Sequence, residues 1–272
     1  MKKNVPVCQT NINHQCNRRR LFGPGLAVAL AVFTGLSAQA GVLTWDSLPT
    51  NTGADDGNAG WGVAAINTNW WNGTANVAWN NANGDTAVLG FNSTSNVTVT
   101  LSNSVTAGGL IYSNAGAGVY SIGVANSSIL TLVGSSPAIR LSGPGSGVHA
   151  ISPSVTSTGL VSILCTFPTA VSINCRLANV SNNIAGGLAV GTPGNNSYTT
   201  PTALYVDFNN ATLANTVNNT TNVTVYSNAT FRISGQNGSA FNMNFPKQIT
   251  ISGDGENATG RMGNHWQRWW QL

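Results

Sequence analysis

The sequence predicts an all-β protein: a right-handed parallel β-helix, or β-solenoid, closed by a tryptophan-rich N-terminal cap. A β-sandwich is the alternative arrangement. Three observations carry this expectation. After Ala40, apolar residues stop recurring at helical spacing. Instead, apolar and polar residues alternate in brief runs whose starts fall about 10–11 residues apart. The polar surface is made of Asn, Thr, Ser and Gly, with only 7% of residues charged. Those residue types favour turns and strands over helices.

The first 40 residues have a different chemistry. Met1 to Arg20 is polar and basic, with Lys2, Lys3 and Arg18-Arg19-Arg20; Leu21 to Leu36 is apolar and contains AVALAVF; Ser37-Ala38-Gln39-Ala40 ends in small residues at A-x-A spacing. This is the layout of a secretory signal peptide over 1–40, cleaved after Ala40. The apolar run is shorter than the roughly 20 residues a membrane span needs, which argues against an uncleaved anchor. Arg19-Arg20-Leu21-Phe22 also fits the core of a twin-arginine signal, without the usual Ser or Thr ahead of the pair. General and twin-arginine export both stay open.

Removing the leader changes the charge argument. Five of the eleven Lys and Arg leave with it, and all seven acids stay. The mature chain carries six basic against seven acidic side chains, a net charge of −1. No basic patch remains to attract phosphates, so nucleic acid is not an expected partner. No later apolar run reaches the length of a membrane helix, and no transmembrane domain is expected in the mature chain. The protein is expected to be exported, to the cell surface or beyond, with the periplasm as a further site.

Residues 41–91 read as the cap. They hold Trp45, Trp61, Trp70, Trp71 and Trp79, five of the eight tryptophans, among Gly, Asn and Asp. A solenoid leaves an unpaired edge and an open core at its end, and packed Trp rings can close both. The same five residues are the candidates for stacking on sugar rings, with burial in the cap as the competing fate. Asp46, Asp55, Asp56 and Asp85 also fall in this block. They fit no calcium-loop spacing, and the expected role is to bond nearby backbone in turns.

Residues 92–260 read as the stacked repeats. Strands are expected at Val97–Leu101, Leu110–Tyr112, Val119–Ile122, Ile129–Val133, Ile139–Leu141, Val148–Ile151, Leu160–Leu164 and Val171–Ile173. A second set is expected at Leu204–Phe208, Val223–Tyr226, Phe231–Ile233 and Ile249–Ile251. Tight hairpins favour Asn-Gly and Asp-Gly, and none of these dipeptides lies between Val97 and Arg176. Looser turns suit strands that pair with the strand one coil below, which favours the solenoid over the sandwich. Cys165 and Cys175 flank Phe167-Pro168-Thr169, and an exported compartment permits a disulfide between them. Two buried free thiols are the alternative.

The order of motifs resembles the autotransporter-associated β-strand repeat proteins, large exported passenger-like proteins of bacteria. The residues are Trp45-Asp46, then Asn69-Trp70-Trp71-Asn72-Gly73, then Asn83-Gly84-Asp85-Thr86-Ala87-Val88-Leu89, then Gly108-Gly109-Leu110-Ile111-Tyr112. The run Ile249-Thr250-Ile251-Ser252-Gly253-Asp254-Gly255-Glu256-Asn257-Ala258-Thr259-Gly260 follows. The resemblance implies a β-solenoid at or outside the cell surface and supplies no catalytic residues. Residues 261–272 depart from it: two Arg, three Trp and a His crowd into an atypical tail. The tail reads as the truncated or frame-shifted end of a longer solenoid, or as a plug for the last coil.

Catalytic constellations are scarce. His149 and His265 are the mature histidines, and no G-x-S-x-G elbow occurs. The carboxylate pairs Asp55/Asp56 and Asp254/Glu256 lie in Gly- and Asn-rich turns, and Asp207 is the one acid inside a strand run. No Cys/His metal spacing occurs. The expectation is therefore a secreted or surface-displayed, adhesin-like scaffold with no catalytic residues, metal or cofactor. A carbohydrate-binding module is the first alternative and a polysaccharide-active enzyme the second. Extracellular polysaccharide and cell-surface components are the partner classes that follow.

Overall fold

The computed structural model describes residues 40–113, 115–143, 147–166, 173–179, 181–191, 193, 202–208, 220–226, 229–235 and 249–251. Most of the expected leader, the 167–169 turn, Asp254, Glu256, His265 and the tail lie outside these residues.

The chain first lays down β1 (Val42–Trp45), β2 (Ala59–Trp61), β3 (Trp70–Trp71), β4 (Asn76–Val77) and β5 (Thr86–Leu89). It then repeats a three-strand cycle. The first turn is β6 (Val97–Leu101), β7 (Val105–Ala107) and β8 (Gly109–Tyr112); the second is β9 (Tyr120–Val124), β10 (Ile129–Leu132) and β11 (Ala138–Leu141). The third is β12 (Val148–Ile151), β13 (Ser154–Ser157) and β14 (Val161–Cys165); the fourth is β15 (Ile173–Leu177), β16 (Asn183–Ile184) and β17 (Leu188–Val190). Then β18 (Thr202–Phe208), β19 (Val223–Val225), β20 (Ala229–Gly235) and β21 (Ile249–Ile251) extend two of the three sides.

Each side of this column is a sheet. One runs β2-β6-β9-β12-β15-β18-β20, the second β7-β10-β13-β16, and the third β4-β3-β1-β5-β8-β11-β14-β17-β19-β21. Pairing is parallel throughout except where β3 meets β1 and β4. A sandwich joins strands antiparallel, so these ladders decide for the solenoid. In the third sheet Thr86, Gly109, Ala138, Ser162 and Ala189 share one row, 23, 29, 24 and 27 residues apart. One circuit of the column therefore takes about 26 residues.

The alternation of the sequence is what turns side chains inward. In β6, Val97, Val99 and Leu101 are buried while Thr98 is exposed. In β14, Val161, Ile163 and Cys165 are buried and the residues between them are not. Stacking makes continuous inner rows, such as Ala87, Leu110, Ile139, Ile163 and Val190. Each fully buried aliphatic side chain in such a row contributes roughly 1.5–3 kcal/mol.

Two features place the turns. Asn72-Gly73 joins β3 to β4, with Gly73 at a φ of 96° and the Asn72 Oδ1 accepting from the Thr74 and Ala75 amides. Hairpin chemistry thus sits at the antiparallel pair, as the distribution of these dipeptides suggests. At the corner leading into the third sheet, glycines stack from one turn to the next. A methyl on Gly108 would collide with the Gly84 carbonyl oxygen, and one on Gly159 with that of Gly134.

No strand runs were expected in the cap, where β1–β5 form, and behind it four strands, β7, β13, β16 and β17, fall outside the expected runs. β13 is Ser-Val-Thr-Ser, with one apolar residue, and β16 has two residues in all. The pairing of β13, β16 and β17 comes from the column, which presents a finished edge to each, and little of it from their own composition.

Candidate functional site

The tryptophan-rich block is the place where chemistry-bearing residues gather, and the structure builds it as a seal. Trp45, Trp61, Trp70 and Trp79 are each at most 1% exposed. Their rings meet with centroids 4.7–5.3 Å apart and planes crossed by 55–75°. That is the tilted and edge-to-face packing aromatic quadrupoles prefer. Trp70 is the hub, touching the other three. The Nε1 of Trp61 and of Trp70 is buried with no hydrogen-bond partner, so packing carries this cluster.

Sugar stacking needs an exposed, coplanar ring face. Of the five candidate tryptophans, four are sealed and crossed; Trp71, half-buried on β3, alone keeps solvent access. The geometry brings four of the five together as a plug and not as a platform.

The cap also covers each sheet edge with backbone or its mimic. On the third sheet, β1 continues the parallel ladder and β3–β4 reverse it. On the first, β2 pairs with β6 and Asn58 Oδ1 accepts from the Thr98 amide at 2.7 Å. The second sheet ends at β7, and here side chains stand in for a strand. Trp79 Nε1 donates to the Thr106 carbonyl at 3.0 Å. Asn81 accepts from the Thr106 amide at 2.8 Å and donates to the Ser104 carbonyl at 3.1 Å. The abundance of Asn thus has a structural use that its frequency alone does not disclose.

The carboxylates divide. Asp46 Oδ1 accepts from the Leu48 amide two residues on, as a turn Asp should. Asp55 accepts from Asn51. Asp56 departs from the expected local role. It accepts from the Phe91 and Asn92 amides at 2.9 and 2.6 Å and from the Tyr120 hydroxyl, all at least 35 residues away. It is a clamp between the cap and the first two turns. Asp85, 4% exposed, accepts from the Gly41 amide at 2.6 Å and from Asn83 Nδ2 at 3.2 Å. Among the described residues no three His, Cys, Asp or Glu converge as metal ligands.

Deeper in the column, His149 is 3% exposed and its Nδ1 donates to the Tyr120 carbonyl at 3.0 Å. Its ring lies 4.7 Å from that of Tyr112. Burial holds the imidazole pKa down to about 4 and pushes the Cys175 thiol up to about 12. A protonation-silent His and a thiol this reluctant to ionise are core residues, not a nucleophile and its base.

The expected Cys165–Cys175 disulfide is not formed. Both side chains are buried, and Cys175 is a free thiol. Cys165 lies in the third sheet beside Leu141 and Cys175 in the first beside His149.

Comparison with known proteins adds no relative to this geometry: no protein-family profile, curated protein or solved structure matches the chain.

Proposed function

We propose that the chain is an exported, adhesin-like structural scaffold that works at the cell surface or outside the cell. The observation that carries this reading is the column of stacked turns. Its inner rows are filled by side chains from every turn, and its N-terminal end is sealed by Trp45, Trp61, Trp70 and Trp79. Such a body is stiff, carries little charge, and transmits stability from each turn to its neighbours. The leader layout over 1–40 and the resemblance to autotransporter-associated repeat proteins supply the location.

Two assays test the proposal together. Intact cells producing the protein are treated with protease and the surviving chain is followed by immunoblot, while cell attachment is compared with that of a deletion strain. The scaffold reading expects epitopes accessible outside the cell and attachment reduced several-fold by deletion. A chain protected inside the cytoplasm, or deletion with no effect on attachment, overturns it.

A further inference from the structure

We infer that cleavage after Ala40 creates an ion pair, in which the new α-ammonium of Gly41 docks on the carboxylate of Asp85 and locks the first strand of the cap. The inference rests on the reading of residues 1–40 as a cleaved leader. It adds a structural role for the cut itself.

Two independent lines meet at one atom. The small-residue spacing of Ser37-Ala38-Gln39-Ala40 puts the scissile bond between Ala40 and Gly41. In the fold, the Gly41 nitrogen lies 2.6 Å from Asp85 Oδ1. That separation is just below the range of charge-assisted bonds, about 2.7–2.9 Å. The Gly41 carbonyl accepts from the Thr86 amide at 2.8 Å, so the residue is fixed from both ends just as β1 begins. A side chain here would crowd the carboxylate, since a Cβ on Gly41 would stand 3.3 Å from Oδ1.

Asp85 needs such a partner. It is nearly fully buried, and its side-chain donors, Gly41 N–H and Asn83 Nδ2, are both uncharged while the 40–41 bond is intact. A buried carboxylate without a cation is costly. Hydrolysis supplies the cation. Signal peptidase adds one water across the bond, Ala40 leaves with a carboxylate, and the Gly41 amine takes up a proton at neutral pH. One N–H of the ammonium keeps the bond to Oδ1, and the full charge now faces the carboxylate. The same residue sits in Asn83-Gly84-Asp85, where the positive φ of Gly84, 65°, turns the chain toward β5. The cut end and the second rung of the third sheet are thereby tied together.

The test uses the mature chain ending at Leu272 in four forms: starting at Gly41 or retaining Ala40, each with Asp85 or with Asp85→Asn. Retaining Ala40 converts the Gly41 nitrogen to an amide and moves the charge one residue outward. We expect Ala40 to lower Tm by about 5–10 °C when Asp85 is present, and to change it little in the Asp85→Asn background. Equal shifts in both backgrounds, or none in either, overturn the ion pair. Should Asp85→Asn fail to fold, the Gly41 α-amino group of the unsubstituted chain is titrated by NMR. A pKa above the ordinary range of about 7.7–8.0 supports the pair, and an ordinary or lower one overturns it. Mass spectrometry of the naturally exported protein separates the two readings. A chain starting at any other residue removes the leader assignment and the inference with it. A start at Gly41 without the Tm coupling removes the ion pair alone.

Discussion

The cap and the four complete turns behind it solve the same problem by different means. In the turns, each strand meets its own kind one circuit later, so Leu110, Ile139 and Ile163 fall into register along a parallel ladder. The cap has no previous turn to lean on. It closes the core with four crossed indoles, and it closes the edges with a reversed strand pair and with Asn58, Trp79 and Asn81. A repeat can be built from ordinary aliphatic alternation; its first end needs large, specific and non-repeating residues.

The largest break in that contrast comes from the hub of the cap. Trp70→Ala removes a buried indole packed on three others and should cost about 3–5 kcal/mol in urea unfolding. A single Ile139→Val change in the turns should cost about 0.5–1.5 kcal/mol. Equal losses would erase the distinction drawn between the two regions.

The next effect belongs to the column interior and is read by pH. His149 has its folded pKa lowered from 6.5 to about 4, so the fold favours the neutral ring. The unfolded chain then binds the proton more readily. Stability from this group is complete above about pH 6.5 and is lost as pH falls toward 4, by up to about 3 kcal/mol. Chemical unfolding at a series of pH values should show this slope in the parent chain and lose it in His149→Gln. A slope that persists in the variant would assign the effect to another group.

A smaller cost is expected where turns touch through backbone. Gly108→Ala forces a methyl against the Gly84 carbonyl and should cost about 1–3 kcal/mol by thermal or chemical unfolding. The smallest belongs to the mimicked edge. Asn81→Ala leaves the Ser104 carbonyl and the Thr106 amide of β7 to solvent and should cost about 1–2 kcal/mol. Hydrogen exchange should speed up first at Thr106; unchanged protection there would mean that Asn81 does not serve as a surrogate strand.

These magnitudes follow what could and could not be read from the amino-acid order. Val97–Leu101 and Val148–Ile151 were legible to the residue, because strict alternation over a half-buried strand leaves one register that buries the apolar set. The parallel arrangement was legible from where Asn-Gly is absent. β13 was not, since Ser154-Val155-Thr156-Ser157 looks like a loop until a neighbouring ladder offers it partners. The Trp block was legible as a cap, and its crossed rings answer the choice between plug and platform. The cysteine spacing left the choice between a cross-link and buried thiols open, because it does not disclose that Cys165 joins the third sheet and Cys175 the first. The reach of Asp56 to Phe91, Asn92 and Tyr120 had no sequence signal, because partners 35 or more residues apart are set by the circuit length and by nothing local.

The measurement that bears most directly on the stacked column is the distance between spin labels at positions 106 and 156. Thr106, Thr131 and Thr156 share one row of the second sheet, two strand spacings from end to end. Continuous-wave electron paramagnetic resonance of the Thr106→Cys/Thr156→Cys pair, with both native buried cysteines left unlabelled, should report a backbone separation of about 10 Å through strong dipolar broadening. A spectrum identical to the sum of the two singly labelled proteins would contradict the stacking of turns.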